Sequence, residues 1–382
     1  MPTTSMTITR PPLVGAPRPP LPRNETSRTA FDPLASTSAL IEWAIGTARA
    51  TPGFGTDVAA TLAWCVSVGT RAPRVGEGRT RELWELLAAV AALDVAAARM
   101  LEPHLDALSI LHQSGLAFRG GQDSSALAVR ARAGSTWGVF AAEGAGRLLD
   151  AIPVRDGWRL RGTKPWCSLA AHLSHALVTA SVEGGERRLF AVDLRDSRVR
   201  AHDGPWFARG LENVVSTDVD FDDVPAIAVG DAGWYLTRPG FAWGGMSVAA
   251  CWWGAAVGIA EPLLRAARSE RADQLALVHL GRADAALWAT RSVLGEAADL
   301  VDAGESSSIG DRLLAERVRG VVAEAATLII AEADAALGPA PLVADEAHAR
   351  RVADLHLYLR QHHGARDSAR IGRELAAAAG ER

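Results

Sequence analysis

Few residues in this chain have types and spacing that could do chemistry. His362 and His363 stand side by side, and a neutral imidazole is a competent base near pH 7. Their alternative reading is a pair of partly exposed helix-end residues beside Arg360 and Arg366. His172 and His175 lie three apart, but no third ligand is evident and the HExxH spacing is absent, so the pair reads as structural and no metal is expected. Asp218, Asp220, Asp222 and Asp223 lack the glycine and terminal glutamate of a calcium loop. Ser306, Ser307 and Ser308 mark a loop between helices, with no His and acid arranged to activate a nucleophile. The three cysteines, Cys65, Cys167 and Cys251, are too far apart for a disulfide framework or a cysteine zinc site. Cys167 reads as a small buried side chain. No glycine-rich phosphate loop of either standard spacing occurs, which argues against Rossmann and P-loop sites.

Positioning these residues requires helices, then strands, then helices. Leu83, Leu86, Leu87, Val90, Leu93, Ala97, Met100 and Leu101 recur at helical spacing behind Thr80, a candidate cap, so about 36 to 120 reads helical. Between about 125 and 230 the period is two, clearest where Thr217, Val219 and Phe221 alternate with aspartates. Asp156-Gly157 and the segment 183 to 186 are hairpin signals, which predicts an antiparallel β unit. Four long helices are expected after Phe241, over roughly 241–268, 273–302, 311–337 and 346–378, the third capped by Asp311. Phe241 to Ala260 runs twenty residues without a charge. Its many small residues suit the central helix of a bundle better than a membrane span. Segregated blocks of this kind point to separate layers or domains and away from a doubly wound sheet. With 40 basic and 44 acidic residues the net charge is −4, so no field exists to hold nucleic acid. The proline-rich stretch 1–35 lacks the apolar core of a secretory signal and reads as a mobile leader of a cytoplasmic protein.

Gly162-Thr163-Lys164-Pro165-Trp166-Cys167-Ser168, together with Leu211-Glu212-Asn213 leading into Phe221-Asp222-Asp223-Val224-Pro225, resembles the acyl-CoA dehydrogenase family. In that family a G-T-K-x-W-I-T strand and an F-x-D-V-x-V-P strand belong to a middle β domain. Ala142-Glu143-Gly144-Ala145-Gly146-Arg147 is similar to the family's T-E-P-x-A-G-S-D loop, and Asp273-Gln274 to Glu296 resembles its second bundle helix. The resemblance spans about 40 to 378. It implies a mainly α fold with a central β domain: a leader (1–35), an N-terminal helical domain (36–122), an antiparallel middle β domain (123–235) and a C-terminal four-helix bundle (236–382).

The resemblance also implies FAD between the β domain and the bundle, with Trp166 against the isoalloxazine ring and the Ser168 hydroxyl near its N5. A tryptophan offers a flat apolar face and a serine a rotatable donor, types that suit a flavin edge. The bland alternative is a core tryptophan and a strand-end hydroxyl. The Val139–Ala142 loop would offer backbone groups to the flavin pyrimidine, although Ala142 lacks the hydroxyl of the family's threonine. Arg147 would pair with a phosphate of FAD or of the acyl carrier, or stand as a solvated loop arginine. By the same resemblance the catalytic base lies before the last helix, where aligning on Gly364 puts His363 at the family's glutamate and His362 at its tyrosine. That alignment breaks the fourth helix near Gly364. Asp354 and Asp367 read as surface charges. The family's R-x-Q-F-G and Q-x-x-G-G segments, which help a neighbouring subunit hold FAD, become Ser269 to Gln274 and Ala336-Leu337-Gly338-Pro339. The leading expectation is oxidation of an acyl thioester (acyl-CoA) at its α and β carbons, with an electron acceptor such as an electron-transfer flavoprotein, in a homodimer or homotetramer. The alternatives are a flavin-dependent monooxygenase of the same fold and an inactive paralogue serving as a binding subunit.

Overall fold

Aspartates start four of the helices: Asp57, Asp94, Asp273 and Asp345 each accept the backbone N–H three residues on, satisfying one of the donors a helix start leaves open. The computed structural model describes residues 38–116, 131–132, 134–304 and 308–380. The proline-rich stretch 1–35, Ser306 and Ser307 lie outside the described residues. Helices α1 (Ala39–Ala50), α2 (Val58–Gly69), α3 (Thr80–Leu93) and α4 (Val95–Gln113) come first. Thr80 does not cap α3: it is the first residue of the helix, behind Arg79, and its hydroxyl accepts the Gly76 backbone N–H. Asp302 reaches across and accepts from both the Thr80 backbone N–H, at 2.8 Å, and its hydroxyl, at 2.6 Å.

Seven strands follow: β1 (Trp137–Phe140), β2 (Leu149–Val154), β3 (Gly157–Ser168), β4 (His175–Ser181), β5 (Arg187–Asp193), β6 (Val199–Ala201) and β7 (Ser216–Val229). Both expected hairpins form, β2–β3 with Val154 opposite Gly157 and β4–β5 with Ser181 opposite Arg187. The sheet is not purely antiparallel as expected. β1 runs parallel to β4 from Trp137↔His175 to Phe140↔Val178, and β2 touches β4 in the same sense. The reason is topological: the β2–β3 hairpin intervenes between β1 and β4, and the chain returns in the direction it left. β5 pairs with both β4 and β7, so the strands close into a ring. On β7 the alternation holds, with Thr217, Val219 and Phe221 buried and Asp222 exposed.

The second helical block contains α5 (Trp234–Thr237), α6 (Pro239–Ala267), α7 (Gln274–Ala303), α8 (Ser308–Leu337), α9 (Ala340–Ala344), α10 (Glu346–Tyr358) and α11 (Ala365–Gly380). The third long helix therefore begins at Ser308 and not at Asp311, which lies in its first turn. The fourth breaks, as the alignment on Gly364 implied: a 3-10 turn Leu359–Gln361 follows α10, and Gly364 takes φ +46° before α11. α6 is the one helix among the described residues long and apolar enough to cross a membrane, and 78% of its most apolar window is buried inside the protein. Its small residues are the cause. A Cβ on Gly254 would come within 2.0 Å of the Ala88 carbonyl, and one on Gly258 within 2.7 Å of that of Ala92, so α3 lies directly on α6.

Candidate functional site

β3 ends in a bulge. Its register against β7 slips between Lys164 and Cys167, and Trp166 takes φ +60° there. A bulge re-aims the side chain it carries, and Trp166 stands 60% exposed instead of joining the core. Cys167, the next residue, is fully buried with its thiol pushed up by burial. The loop after β1 lies beside the bulge, since the Cα of Gly144 faces Pro165 closely enough that a Cβ would stand 3.1 Å from its ring. Ala142 is exposed in that loop. Arg147 is paired: its Nε donates to Asp218 of β7 at 2.8 Å, although the guanidinium stays half exposed.

Ser168 exchanges a hydrogen bond with Ser216 at 2.7 Å and accepts a long one, 3.4 Å, from Arg99 of α4. Arg99 joins the β unit to a cluster buried among helices. Its other amine lies 3.7 Å from Glu102, one helical turn on, and its guanidinium sits 5.7 Å from the centre of the Tyr358 ring at the end of α10. Burial raises the Glu102 carboxyl to about 7 despite the Arg99 charge. Tyr358 and Cys251 of α6 face one another, both held well above their ordinary pKa by burial. Trp252, fully buried, meets Tyr358 and His362 edge-on, each at 6.1 Å between centroids, and carries the Arg319 guanidinium 4.7 Å from its ring.

The two adjacent histidines part company. His362 turns inward, its side chain 15% exposed and 3.3 Å from Asp367, and burial followed by the Arg319 charge lowers its pKa. His363 is exposed. Asp354 and Asp367 are buried, contrary to the surface reading. Asp367 pairs with Arg370, and Asp354 accepts the backbone N–H of Leu211. Their helices put them on inner faces that a count of charges along the chain does not reveal. His172 is exposed, His175 is buried with Nδ1 2.8 Å from the Ser174 hydroxyl, and no metal-ligating group of three occurs among the described residues.

Ser168 and His362 thus flank one buried junction of β3, α4, α6 and the turn after α10, whereas Trp166, Ala142 and Arg147 lie on the exposed rim of the β unit. Sequence reasoning missed Arg99, Glu102, Trp252, Arg319 and Tyr358. A signal was present for the first two: Arg99, Glu102 and Asp106 recur at helical spacing as the only Arg, Lys, Asp or Glu residues of α4.

No protein-family model matches the sequence, and no curated protein matches it either. Solved structures do match. KijD3 in complex with FMN and dTDP-3-amino-2,3,6-trideoxy-4-keto-3-methyl-D-glucose is 19% identical, with a TM-score of 0.73 over 92% of this chain and 97% of that one. TdsC from Paenibacillus sp. A11-2, a dibenzothiophene monooxygenase, with FMN and indole is 16% identical, with a TM-score of 0.72 over 90% of this chain and 96% of that one. An electron transferring flavoprotein of Acidaminococcus fermentans is 13% identical, with a TM-score of 0.69 over 89% of this chain and 99% of that one. These likenesses show the fold, which is acyl-CoA dehydrogenase-like.

Proposed function

We propose that the protein is a flavin-dependent monooxygenase that oxygenates a polar substrate beside Ser168. The observation that carries this reading is the buried Arg99–Glu102 pair against Ser168, a charged lining unsuited to a hydrocarbon tail. Trp166, exposed on its bulge two residues before Ser168, fits the flat face of a flavin ring, and Ser168 offers a hydroxyl at the edge of that surface. FMN suits the chain better than the expected FAD, because both segments that would help hold a dinucleotide are altered and Arg147 is engaged by Asp218. KijD3 and TdsC, which share the fold, are seen with FMN.

A reduced flavin would supply two electrons, so that O2 places one oxygen atom on the substrate and leaves the other as water. Arg99 would hold an anionic or oxygen-bearing group at the junction, and Glu102, titrating near 7, would exchange protons with it. His362 keeps a neutral imidazole at neutral pH, and Trp252 with Tyr358 closes the inner wall to water. His363, being exposed, is the weaker of the two histidine candidates. The turn from Leu359 to Gly364 contains no acid, which disfavours the thioester dehydrogenase expected from the resemblance. Glu102 supports that reaction as a second reading, since a carboxylate at about 7 can remove an α-proton. Leu275, Leu277 and Trp288, exposed on α7, support a homodimer or homotetramer within this proposal.

The experiment supplies enzymatically reduced FMN and labelled O2 with amino-sugar nucleotides, aromatic heterocycles and acyl-CoA thioesters. The expected result is oxygen uptake that depends on reduced flavin, with one labelled atom in a product. Anaerobic bleaching of bound oxidised flavin by a thioester would establish the second reading, and failure to bind any flavin would leave the inactive paralogue.

A further inference from the structure

The chain has 40 Lys and Arg residues, and only one of them, Lys164, is a lysine. It is the last residue of β3 paired with β7 before the bulge that carries Trp166. Every other cation of this kind is an arginine, so the place itself asks for an ammonium. Lys164 is 5% exposed, and its Nζ donates to the Thr179 hydroxyl of β4 at 2.8 Å. An arginine would bring five fixed N–H donors to the same spot.

The charge of Lys164 is not cancelled nearby. Among the described residues no carboxylate forms an ion pair with it, and Glu143, which acts on it from the loop after β1, is engaged by Arg187 of β5 at 2.8 Å. Cys167, on the same strand, stays a neutral thiol because burial pushes its pKa up. Asp218 of β7, which acts on Cys167, is held by Arg147 at 2.8 Å. Burial lowers Lys164 itself from 10.5 to about 8, which leaves the amine mostly charged at neutral pH. A buried cation without an acid partner is costly, and such groups cluster at functional sites.

The bulge keeps this charge close behind the exposed tryptophan. The Cys167 thiol donates to the Lys164 carbonyl at 3.3 Å, so the chain turns back on itself between them. Trp166 is two peptide steps from Lys164, at most about 7 Å between their Cα atoms.

We infer that Lys164 tunes the flavin surface, its buried ammonium favouring the anionic reduced flavin over the neutral oxidised ring. The inference rests on the proposed seat of the flavin against Trp166 and Ser168. The FMN phosphate is common to both redox forms, so they differ in the charge of the ring, and a charge held beside the ring sets their balance. A unit charge acting over about 15 Å through an effective dielectric of about 20 changes that preference about fivefold or more.

The test measures the Kd of oxidised and of dithionite-reduced FMN, anaerobically, for the full chain and for Lys164→Met, which keeps an unbranched side chain and removes the charge. The substitution should weaken reduced FMN at least about fivefold more than oxidised FMN. In the unaltered protein, raising the pH from about 7 to about 10 should lower the preference for reduced FMN by a similar factor as the amine loses its proton, a step absent from the variant. This second measurement decides the matter even if Lys164→Met does not fold. Because the chain has one lysine, 13C-lysine labelling gives a single ε-carbon signal that follows the same titration. Equal weakening of both flavin forms would make Lys164 a structural part of the bulge, and a lysine signal titrating at its ordinary 10.5 would take the amine out of the interior. Either result overturns the inference and leaves the flavin reading standing. An unaltered protein that binds FMN in neither form would overturn both.

Discussion

At the scale of single residues, exposure separates what a side chain does for the fold from what it offers to a ligand. Trp166 is a large aromatic in a left-handed backbone conformation on a strand, a costly arrangement that buries little of its own surface. Trp166→Ala should therefore leave the melting temperature within a degree or so of the parent, because exposed side chains contribute little to stability. It should weaken FMN binding by about fivefold or more in a flavin-fluorescence titration, since a stacked aromatic face is worth roughly 1 kcal/mol or more. Loss of stability without loss of flavin affinity would mean that the tryptophan serves the bulge alone. Glu102 presents the opposite case, a carboxyl that burial, with the nearby Asp106 charge adding to it, raises to about 7.

At the scale of elements, the close approach of α3 and α6 depends on glycine. Gly254 lets the two helix backbones touch, and the nearest obstacle to a side chain there is the Ala88 carbonyl, a backbone atom that cannot rotate aside. Gly254→Ala should destabilise the protein by about 1–3 kcal/mol, the usual cost of overpacking, and lower the melting temperature by several degrees. Unchanged melting would show that α3 can shift along α6. The same elements explain why the apolar run lies mostly inside the protein: α6 packs against α3, α7 and α8, and small residues at the contacts leave most of the helix away from solvent.

At the scale of the whole molecule, Asp354 ties the β unit to the second helical block. Its carboxylate accepts from the Leu211 backbone on the segment before β7, and Gly210 lies so close to α10 that a Cβ would stand 2.0 Å from the Ala353 carbonyl. Burial lifts the Asp354 carboxyl from its ordinary 3.8 to about 6, although the Leu211 N–H opposes the shift. The folded protein thus holds this proton more tightly than the unfolded chain. The contribution is fully present below the unfolded value and is lost as pH rises through about 6. Between about pH 4 and pH 8 the stability of Asp354→Asn relative to the parent should improve by on the order of 2–3 kcal/mol. Denaturant titrations of both proteins across that range measure the difference, and parallel pH profiles would exclude Asp354 as its source.

Hydrophobic spacing and turn residues acted locally, so they were legible along the chain. The helical periodicity of α3, the alternation on β7, both hairpins and the break at Gly364 all rest on contacts within a few residues. The Trp166–Ser168 segment could be singled out for the same reason, as a short motif on one strand. What lay beyond the sequence depended on residues brought together from distant positions. The parallel pairing of β1 with β4 is set by how the intervening hairpin returns the chain, and no local pattern encodes that. Arg99, Trp252 and Tyr358 form one wall only because α4, α6 and α10 converge, and His362 differs from His363 only because the turn after α10 points one ring at Trp252 and the other at solvent. Asp354 and Asp367 are ordinary acids in the sequence. Their burial, and with it the raised pKa of Asp354, was decided by tertiary packing, because desolvation depends on what surrounds a charge and not on its neighbours along the chain.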